Sequence, residues 1–496
     1  MKFIKIHDQD MVAVALTNLS AGEIVSSDNK EIILLEDIPN AHKIALIDIT
    51  KGEQIIKYGN SIGTATSNIK AGQWVHDHNV ETNANKRKEY TYHFNSDSIF
   101  PGTTTETFMG YERADGNAGV RNHLAIIPTV FCANGPLNRI ADLARAKYQE
   151  TSNFDGVLAF NHPNGCAQTG EDLDMTVKII SGIIKSSNFG GVLVVSLGCE
   201  VNDVLHLKKF LGDYDESKVK FLVLQDVDDE FSEGLVLCDE LYKEIEKDIR
   251  QPLNFDKLHI ALNCGGSDGL SGITANKIVG GIAEIFVKKG ATVNMTEVPE
   301  MFGAEHLLMN RAVNKEVFQD TVNMINDYID YFERYGERVS DNPSQGNKAG
   351  GLSTLEEKSL GCIQKGGQCA IMEVLKHGER ATKNGYILIS GPGNDIIGIT
   401  GQIVAGAVLT IFTTGRGTPA GYAGPLFKLS TNSALANKKP GWIDFNAGRL
   451  VEGALADDLI TELYGSIVDT INGEYLTKNE SNGYYQFGIM RDGVNL

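Results

Sequence analysis

FTTGRGTP, residues 412–419, ends an apolar run (407–412) in a turn that carries threonine hydroxyls, two glycines and one arginine. Glycine lets backbone amides approach a ligand closely. Arginine presents a planar fork that matches a carboxylate or phosphate. An arginine on such a turn, at the carboxyl end of a strand, predicts an anion-binding loop. Ligands of open α/β sheets bind beyond the carboxyl ends of the strands, so this one stretch already argues for a parallel α/β sheet. The formal net charge of −19 favours a small anionic ligand over a polyanion.

The pattern around the loop agrees. From residue 110, strand-like runs at 124–129, 156–160, 192–197 and 221–224 alternate with helical stretches that include 137–148 and 174–185. A second block starts near 258, with strands at 259–262, 292–295, 386–389 and 408–412 and helices near 273–288 and 316–333. Strands alternating with helices imply mostly parallel sheets covered on both faces. Residues 1–92 differ: short β segments (3–6, 12–16, 32–35, 43–48, 54–58, 62–65) are separated by recurring Gly-Glu or Gly-Gln turns at 22–23, 52–53 and 72–73. These predict a small β domain. The expected organisation is an α/β multidomain chain: a β domain over 1–92, a linker over 93–109, a first α/β domain over 110–255 and a second, Rossmann-like α/β domain over 256–496. Residues 341–368 are a long connection rich in Gly, Asn and Lys. Their interspersed Leu, Ile and Cys point to a segment that folds over a site.

Composition narrows the function. At 496 residues the chain exceeds a single core. Its 42% hydrophobic and 22% charged residues are ordinary for a globular protein. No apolar run approaches the length of a membrane span, and the opening residues MKFIKIHDQD lack the apolar core of a signal peptide. Neither membrane nor nucleic acid is an expected partner, since no basic stripe is present. Seven dispersed cysteines without a CxxC pair argue against a disulfide framework or structural zinc. The expected compartment is the cytoplasm, and the expected assembly a homo-oligomer.

Strand ends concentrate the reactive side chains. Asn161 to Cys166, Gly198 to Glu200, Asn263 to Asp268, Thr296 to Glu300 and Ser390 to Asp395 each follow a predicted strand, as the arginine loop does. Singly, Cys199 and Cys264 read as small buried hydrophobes, Glu297 and Glu300 as helix N-terminal charges, and His306 as a surface histidine. His162 with Cys166 in one glycine turn reads as functional. GGSDGLSGITANKIVGG (265–281) echoes GPGNDIIGITGQIVAGA (391–407), so two related anion-facing turns are expected to converge. In the β domain, strand alternation would put His76 and His78 on one face, with Asp77 between them, suited to a divalent metal. His42-Lys43 is a second cationic or proton-transferring pair.

Many of these stretches are similar to the altronate/galactarate dehydratase family. The resemblance runs end to end, through AHKIALIDI (41–49), AGQWVHDHN (71–79), GYERADGNAGVRN (110–122), HPNGC (162–166), LGCE (197–200), TEVPEMFGAE (296–305), NPSQGNKAGGLSTLEEKSLG (342–361), GPGND (391–395) and KPGWIDFNAG (439–448). It implies an N-terminal domain of the SAF type and an iron(II)- or manganese(II)-dependent hydro-lyase of hexuronate catabolism. The implied reaction converts D-altronate to 2-dehydro-3-deoxy-D-gluconate, with galactarate or sulfolactate as the alternative substrates. The ligand set is not carried by the resemblance.

Removing a proton beside a carboxylate is assisted by a divalent cation, and enolising chemistry uses Lys or His bases. On that basis His76, His78, Cys166 and Glu200 are the expected metal ligands, and His42, Lys43 and His162 the proton-moving groups. Arg416 and Arg121 would hold the substrate carboxylate, with Thr414, Ser267, Asp268, Asn347 and Lys348 lining the rest. A cubane cluster on Cys166, Cys199 and Cys264 is the alternative metal chemistry. A sugar-acid sensor is the alternative of another class. A nucleotide-dependent oxidoreductase is disfavoured because no G-x-G-x-x-G follows a strand.

Overall fold

The computed structural model describes residues 2–27, 30–84 and 89–493. The N-terminal β domain is built from short antiparallel strands. One sheet joins Phe3–Ile4, Val12–Ala15, Lys43–Ala45 and Trp74–Val75 in that order; a second joins Gln54–Lys57, Asn60–Ala65 and Val80–Glu81; Ile24–Ser27 and Lys30–Ile33 form a hairpin. The strand Thr107–Glu112 runs across the expected boundary at 109/110 and pairs antiparallel with Gln251–Asn254. The segment ahead of it lies along the C-terminal domain, with Asn95 N donating to Asn310 O at 2.7 Å.

The first α/β domain has a four-stranded parallel sheet. Numbering from its first strand, β1 is His123–Pro128, β2 Val157–Ala159, β3 Phe189–Ser196 and β4 Val219–Val223, in the order β2-β1-β3-β4. All six residues of β1 and all eight of β3 are buried, as expected for parallel strands covered on both faces.

The second sheet is seven-stranded and parallel: β5 (His259–Cys264), β6 (Thr292–Met295), β7 (Ile371–Leu375), β8 (Gly385–Ile389), β9 (Leu409–Thr414), β10 (Leu426–Ser430) and β11 (Phe445–Asn446), ordered β7-β8-β6-β5-β9-β10-β11. β7, β10 and β11 are additional to the strands the sequence pattern marks. Helices Gly170–Ile184 and Asp395–Val404 bring the two α/β domains together, sharing an apolar core that includes Ile179, Ile183, Ile399 and Ile403. No helix among the described residues is long and apolar enough to cross a membrane.

The segment 341–368 folds tightly. It forms the helices Gln345–Ala349 and Leu355–Cys362 and a short turn Ile363–Gly366. Every residue of Leu355–Cys362 is buried, although the helix carries Glu356, Glu357 and Lys358. Their burial is possible because each charge has partners: Glu356 accepts from Thr82 Oγ1 and Asn83 N, Glu357 meets Lys43 and Lys57, and Lys358 meets Glu300.

Candidate active site

Three side chains converge beyond the carboxyl end of β5. Cys264 is the last residue of β5, Glu300 closes the turn Val298–Glu300 after β6, and Cys362 ends the buried helix. Cys264 Sγ lies 3.4 Å from Cys362 Sγ and 3.3 Å from Glu300 Oε2, and Cys362 Sγ lies 2.9 Å from the same oxygen. These three donors, all buried, form a group able to hold one metal ion.

Two ammonium groups balance them. Lys365 Nζ is 2.7 Å from Cys264 Sγ and 3.2 Å from Glu297 Oε2; Lys358 Nζ is 2.6 Å from Glu300 Oε1. The Cys362 hydrogen bond, helped by Lys365 and opposed by burial, holds the Cys264 thiol below its usual range. Its partner Cys362 is held well above, by that same hydrogen bond and then by burial. Burial resists ionisation of Glu300, yet Lys358 and Lys365 outweigh it and keep the carboxyl below normal. Burial, then Glu300, pushes Glu297 well above normal, against the pull of Lys365. Glu297 also adopts φ 72°, an uncommon conformation for a side chain of its size, and its Oε1 has no partner among the described residues. Strain and an unsatisfied buried oxygen together mark a site, not a packed core.

The glycine turns complete the crevice. A Cβ added at Gly265 would collide with the Asp395 carboxylate, and one at Gly415 with the Asp268 carboxylate. The turns after β5, β8 and β9 thus stack without side chains between them. The echo between 265–281 and 391–407 is therefore spatial as well as sequential. Burial, then Glu300, raises Asp395 to about 7, near the value suited to proton transfer at neutral pH. Arg416 is exposed on the outer turn; its backbone N donates to Gly266 O at 2.9 Å, and its guanidinium makes no hydrogen bond or ion pair among the described residues.

The β domain meets this face through a buried clasp. Glu357 receives Lys43 Nζ at 2.7 Å and Lys57 Nζ at 2.6 Å, with all three side chains almost inaccessible. Lys43 Nζ also donates to Gly351 O at 2.9 Å. Beside the clasp, Trp74 stacks on His76 with centroids 5.1 Å apart, and His42 packs edge-on to both rings. His42 Nδ1 accepts from Trp74 Nε1 at 3.2 Å. Burial and then Lys43 lower His76 to about 4, so its ring is neutral at pH 7, with Nδ1 unpartnered among the described residues. Lys348 Nζ is 3.6 Å from Asp77 Oδ2.

The expected residues divide accordingly. His42, Lys43, His76, Ser267, Asp268, Asn347, Lys348, Thr414 and Arg416 gather on the face between the β domain and the second sheet. Several of them shape this face and are not free to bind. Thr414 Oγ1 accepts from Gly417 N at 2.9 Å, and Asn347 accepts from Ser344 and donates to Ser267 O. Asp268 accepts from Leu270 N, Ser271, Thr431 and Asn432.

Other placements need correction. The strand carrying Trp74 ends at Val75 and His76 to Asn79 form a turn, so alternation lapses: His76 is buried and His78 exposed. Cys166 and Glu200 lie on the first α/β sheet and take no part in the three-donor group. Glu200 is saturated by Thr129, Ser196, Leu197 N and Gly198 N. His162 is a positioning histidine, with Nε2 2.8 Å from Pro128 O and Nδ1 accepting from Asn164 N. Arg121 is fully buried, paired with Glu480 at 2.7 Å and bonded to the Val120, Thr470 and Tyr475 carbonyls; no donor remains for a substrate. Cys199 is exposed, not buried. Cys264, Glu297 and Glu300, read singly as packing or cap residues, are the heart of the site. Cys362, Lys358 and Lys365 went unassigned, although their segment was marked as covering a site. A cavity of about 670 Å³ lined by Arg113, Lys218 and Arg380 lies at the amino edge of the first sheet, remote from these turns.

Fold and site together define a three-domain α/β protein whose β domain closes on a crevice competent for a metal and an anion. Its residues 1–83 match the altronate/galactarate dehydratase SAF domain, 110–246 the D-galactarate dehydratase/altronate hydrolase second domain, and 255–495 the D-galactarate/altronate dehydratase C-terminal domain. The chain belongs to the galactarate/altronate dehydratase family. It is 42% identical to the altronate dehydratase of Escherichia coli (strain K12), covering 100% of both chains. With the altronate dehydratase of Bacillus subtilis (strain 168) it is 42% identical over 100% of this chain and 99% of the other. With the galactarate dehydratase (L-threo-forming) of Escherichia coli (strain K12) it is 34% identical over 97% and 95%.

Proposed function

We propose that this protein eliminates water from D-altronate to give 2-dehydro-3-deoxy-D-gluconate. The observation that carries the reading is full-length identity of 42% to two altronate dehydratases, against 34% to the galactarate enzyme.

Arg416, unpaired on its turn, binds the substrate carboxylate in the bidentate manner its fork favours. Asp395, near neutrality in proton affinity, takes the proton at C2 and delivers it to the departing C3 hydroxyl, which leaves as water, while the neutral His76 ring accepts a hydrogen bond from a substrate hydroxyl. Burial of the crevice under the β domain excludes water and strengthens these interactions. Cys264, Glu300 and Cys362 would hold the metal, whose chemistry when bound is Lewis-acid polarisation of the substrate oxygens. Two sulfur donors fit iron(II) better than manganese(II), which prefers oxygen ligands.

Turnover is measured on anaerobic protein against altronate, galactarate and sulfolactate, with and without added Fe²⁺ or Mn²⁺, following 2-keto-3-deoxy acid formation. Iron-stimulated product from altronate is expected. Product only from galactarate or sulfolactate would overturn the substrate, and no product from any of them would overturn the reaction.

A further inference from the structure

Four of the seven cysteines are buried, and the exposed ones are Cys132, Cys166 and Cys199. They are not scattered. Cys132 follows β1, Cys166 follows β2 and Cys199 follows β3, and these strands are neighbours in the order β2-β1-β3. Adjacent strands lie about 4.8 Å apart, so the three strand ends span roughly 10 Å.

The turns bearing them are tied to one another. Phe131 N donates to Asn164 O at 3.0 Å, and Asn134 Nδ2 to His162 O at 3.1 Å. Thr129 is shared: its hydroxyl donates to Glu200 Oε1 at 2.5 Å, and its carbonyl accepts from Asn202 Nδ2 at 3.0 Å. A Cβ at Gly165 would collide with that same carbonyl. Backbone strain is concentrated beside Cys166, where Ala167 has φ 54°. Such strain persists only where the surroundings impose it.

A second observation is independent of the cysteines. Gln168 Nε2, Asn202 Oδ1 and Asn134 Oδ1 are buried without a partner among the described residues. Gln168 and Asn202 are completely inaccessible. Each such atom costs about 1–3 kcal/mol, and together they mark a cradle that awaits a polar or charged group.

We propose that Cys132, Cys166 and Cys199 are thiolate ligands of an iron–sulfur cluster on the carboxyl edge of the first α/β sheet. Iron–sulfur clusters are held by cysteine thiolates. A structural zinc ion takes four protein ligands, and His162, in the turn that bears Cys166, has both ring nitrogens engaged. Three thiolates leave one iron open to a ligand that is not protein. The site also lies beside the second domain's crevice. Phe487 packs on His162 with centroids 5.6 Å apart, while the next residue, Gly488, abuts Ile396 directly after Asp395. The inference does not rest on altronate being the substrate.

The test uses the full chain, purified anaerobically or reconstituted with ferrous iron and sulfide. Iron, acid-labile sulfide and visible sulfide-to-iron charge-transfer absorption are measured, with electron paramagnetic resonance after reduction. Acid-labile sulfide and the cluster absorption are expected in the native protein and in C264S/C362S, and are expected to be lost in C132S/C166S/C199S, which keeps only the iron that Cys264, Glu300 and Cys362 would hold. Should the triple variant fail to fold, exposed Cys199 alone carries the test, and C199S is expected to lose the reduced-cluster signal with an unchanged melting temperature. Iron without sulfide or zinc alone in the native protein, or a cluster that survives the triple substitution, would overturn the proposal. Altronate turnover on the same samples is a separate readout: an intact cluster with no turnover removes the substrate reading and leaves this one.

Discussion

Glu357 is the point at which the β domain is fastened to the catalytic face, and its removal is the sharpest test of the interdomain geometry. Glu357→Gln keeps the shape and deletes one charge, leaving Lys43 and Lys57 as buried ammonium groups without a counter-ion. Breaking a buried pair by removing one partner costs about 3–5 kcal/mol, and two lysines lose their partner here. For a unit of this size a Tm shifts roughly 2–4 °C per kcal/mol, so a fall of about 10 °C is expected. K43M/K57M/E357Q removes all three charges and should recover most of that loss, because no unpaired ion is left.

The pH dependence has a definite sign. Burial lowers Lys43 to about 8, against the partial compensation of Glu357. A lysine whose folded pKa lies below its unfolded value binds fewer protons when folded. Native stability therefore rises as pH climbs from about 8 towards the unfolded value of 10.5. Without Glu357 that compensation is lost and Lys43 falls lower still, shedding its proton at a lower pH than in the native protein. The deficit of E357Q relative to the native protein should then shrink as pH rises towards 8. Scanning calorimetry and limited proteolysis across pH 6 to 9 read this directly. An E357Q variant that melts with the native protein, or a triple variant no better than the single, would refute the account.

Asp395→Asn is expected to lower kcat about 10²–10⁴-fold, the usual worth of a positioned acid or base, with iron content unchanged; unaltered turnover would remove Asp395 from the mechanism. Arg416→Ala should raise KM with little effect on Tm, whereas Arg121→Ala should lower Tm through its lost Glu480 pair, and anion titration beside a melt separates the two. His76→Asn should cut turnover while His78→Ala leaves it near native, since only His76 is buried against His42 and Trp74; equal losses would restore the symmetric reading of the two histidines. Cys264→Ser and Cys362→Ser should each weaken iron retention on dialysis against a chelator, with C264S the more severe because the Cys362 hydrogen bond and Lys365 favour the charged form of Cys264.

What the sequence showed and what it hid follow from one physical distinction. Parallel strands buried on both faces are continuous apolar runs, so β5, β6, β8 and β9 and their glycine turns were legible from residue type alone. Position at the carboxyl end of a strand then located Cys264, Glu297, Glu300, Asp395 and Arg416 without saying which of them meet. The short edge strand β11 lacks such a run, and in β7 and β10 a charged residue, Glu373 or Lys428, interrupts it. In the helix Leu355–Cys362 the residues Glu356, Glu357 and Lys358 have the composition of a solvated face, and local pattern assigns them to water. They are buried because their partners arrive from elsewhere: Lys43 and Lys57 for Glu357, Thr82 and Asn83 for Glu356, Glu300 for Lys358. No periodicity encodes a pairing across some three hundred residues. His76 and His78 show the converse error, in which a local rule was extended past the end of its strand. Arg121 shows a third case: an arginine in a glycine-bordered motif reads as an anion receptor, yet its five donors are consumed by Glu480 and three carbonyls. Arginine thus does structural work at Arg121 on the first sheet, while the guanidinium of Arg416 on the second is left free for a ligand. The distinction lies in whether a donor is left over, which makes the free guanidinium of Arg416, the unpaired Nδ1 of His76 and the orphaned Oε1 of Glu297 the strongest indications of where the substrate and its metal belong.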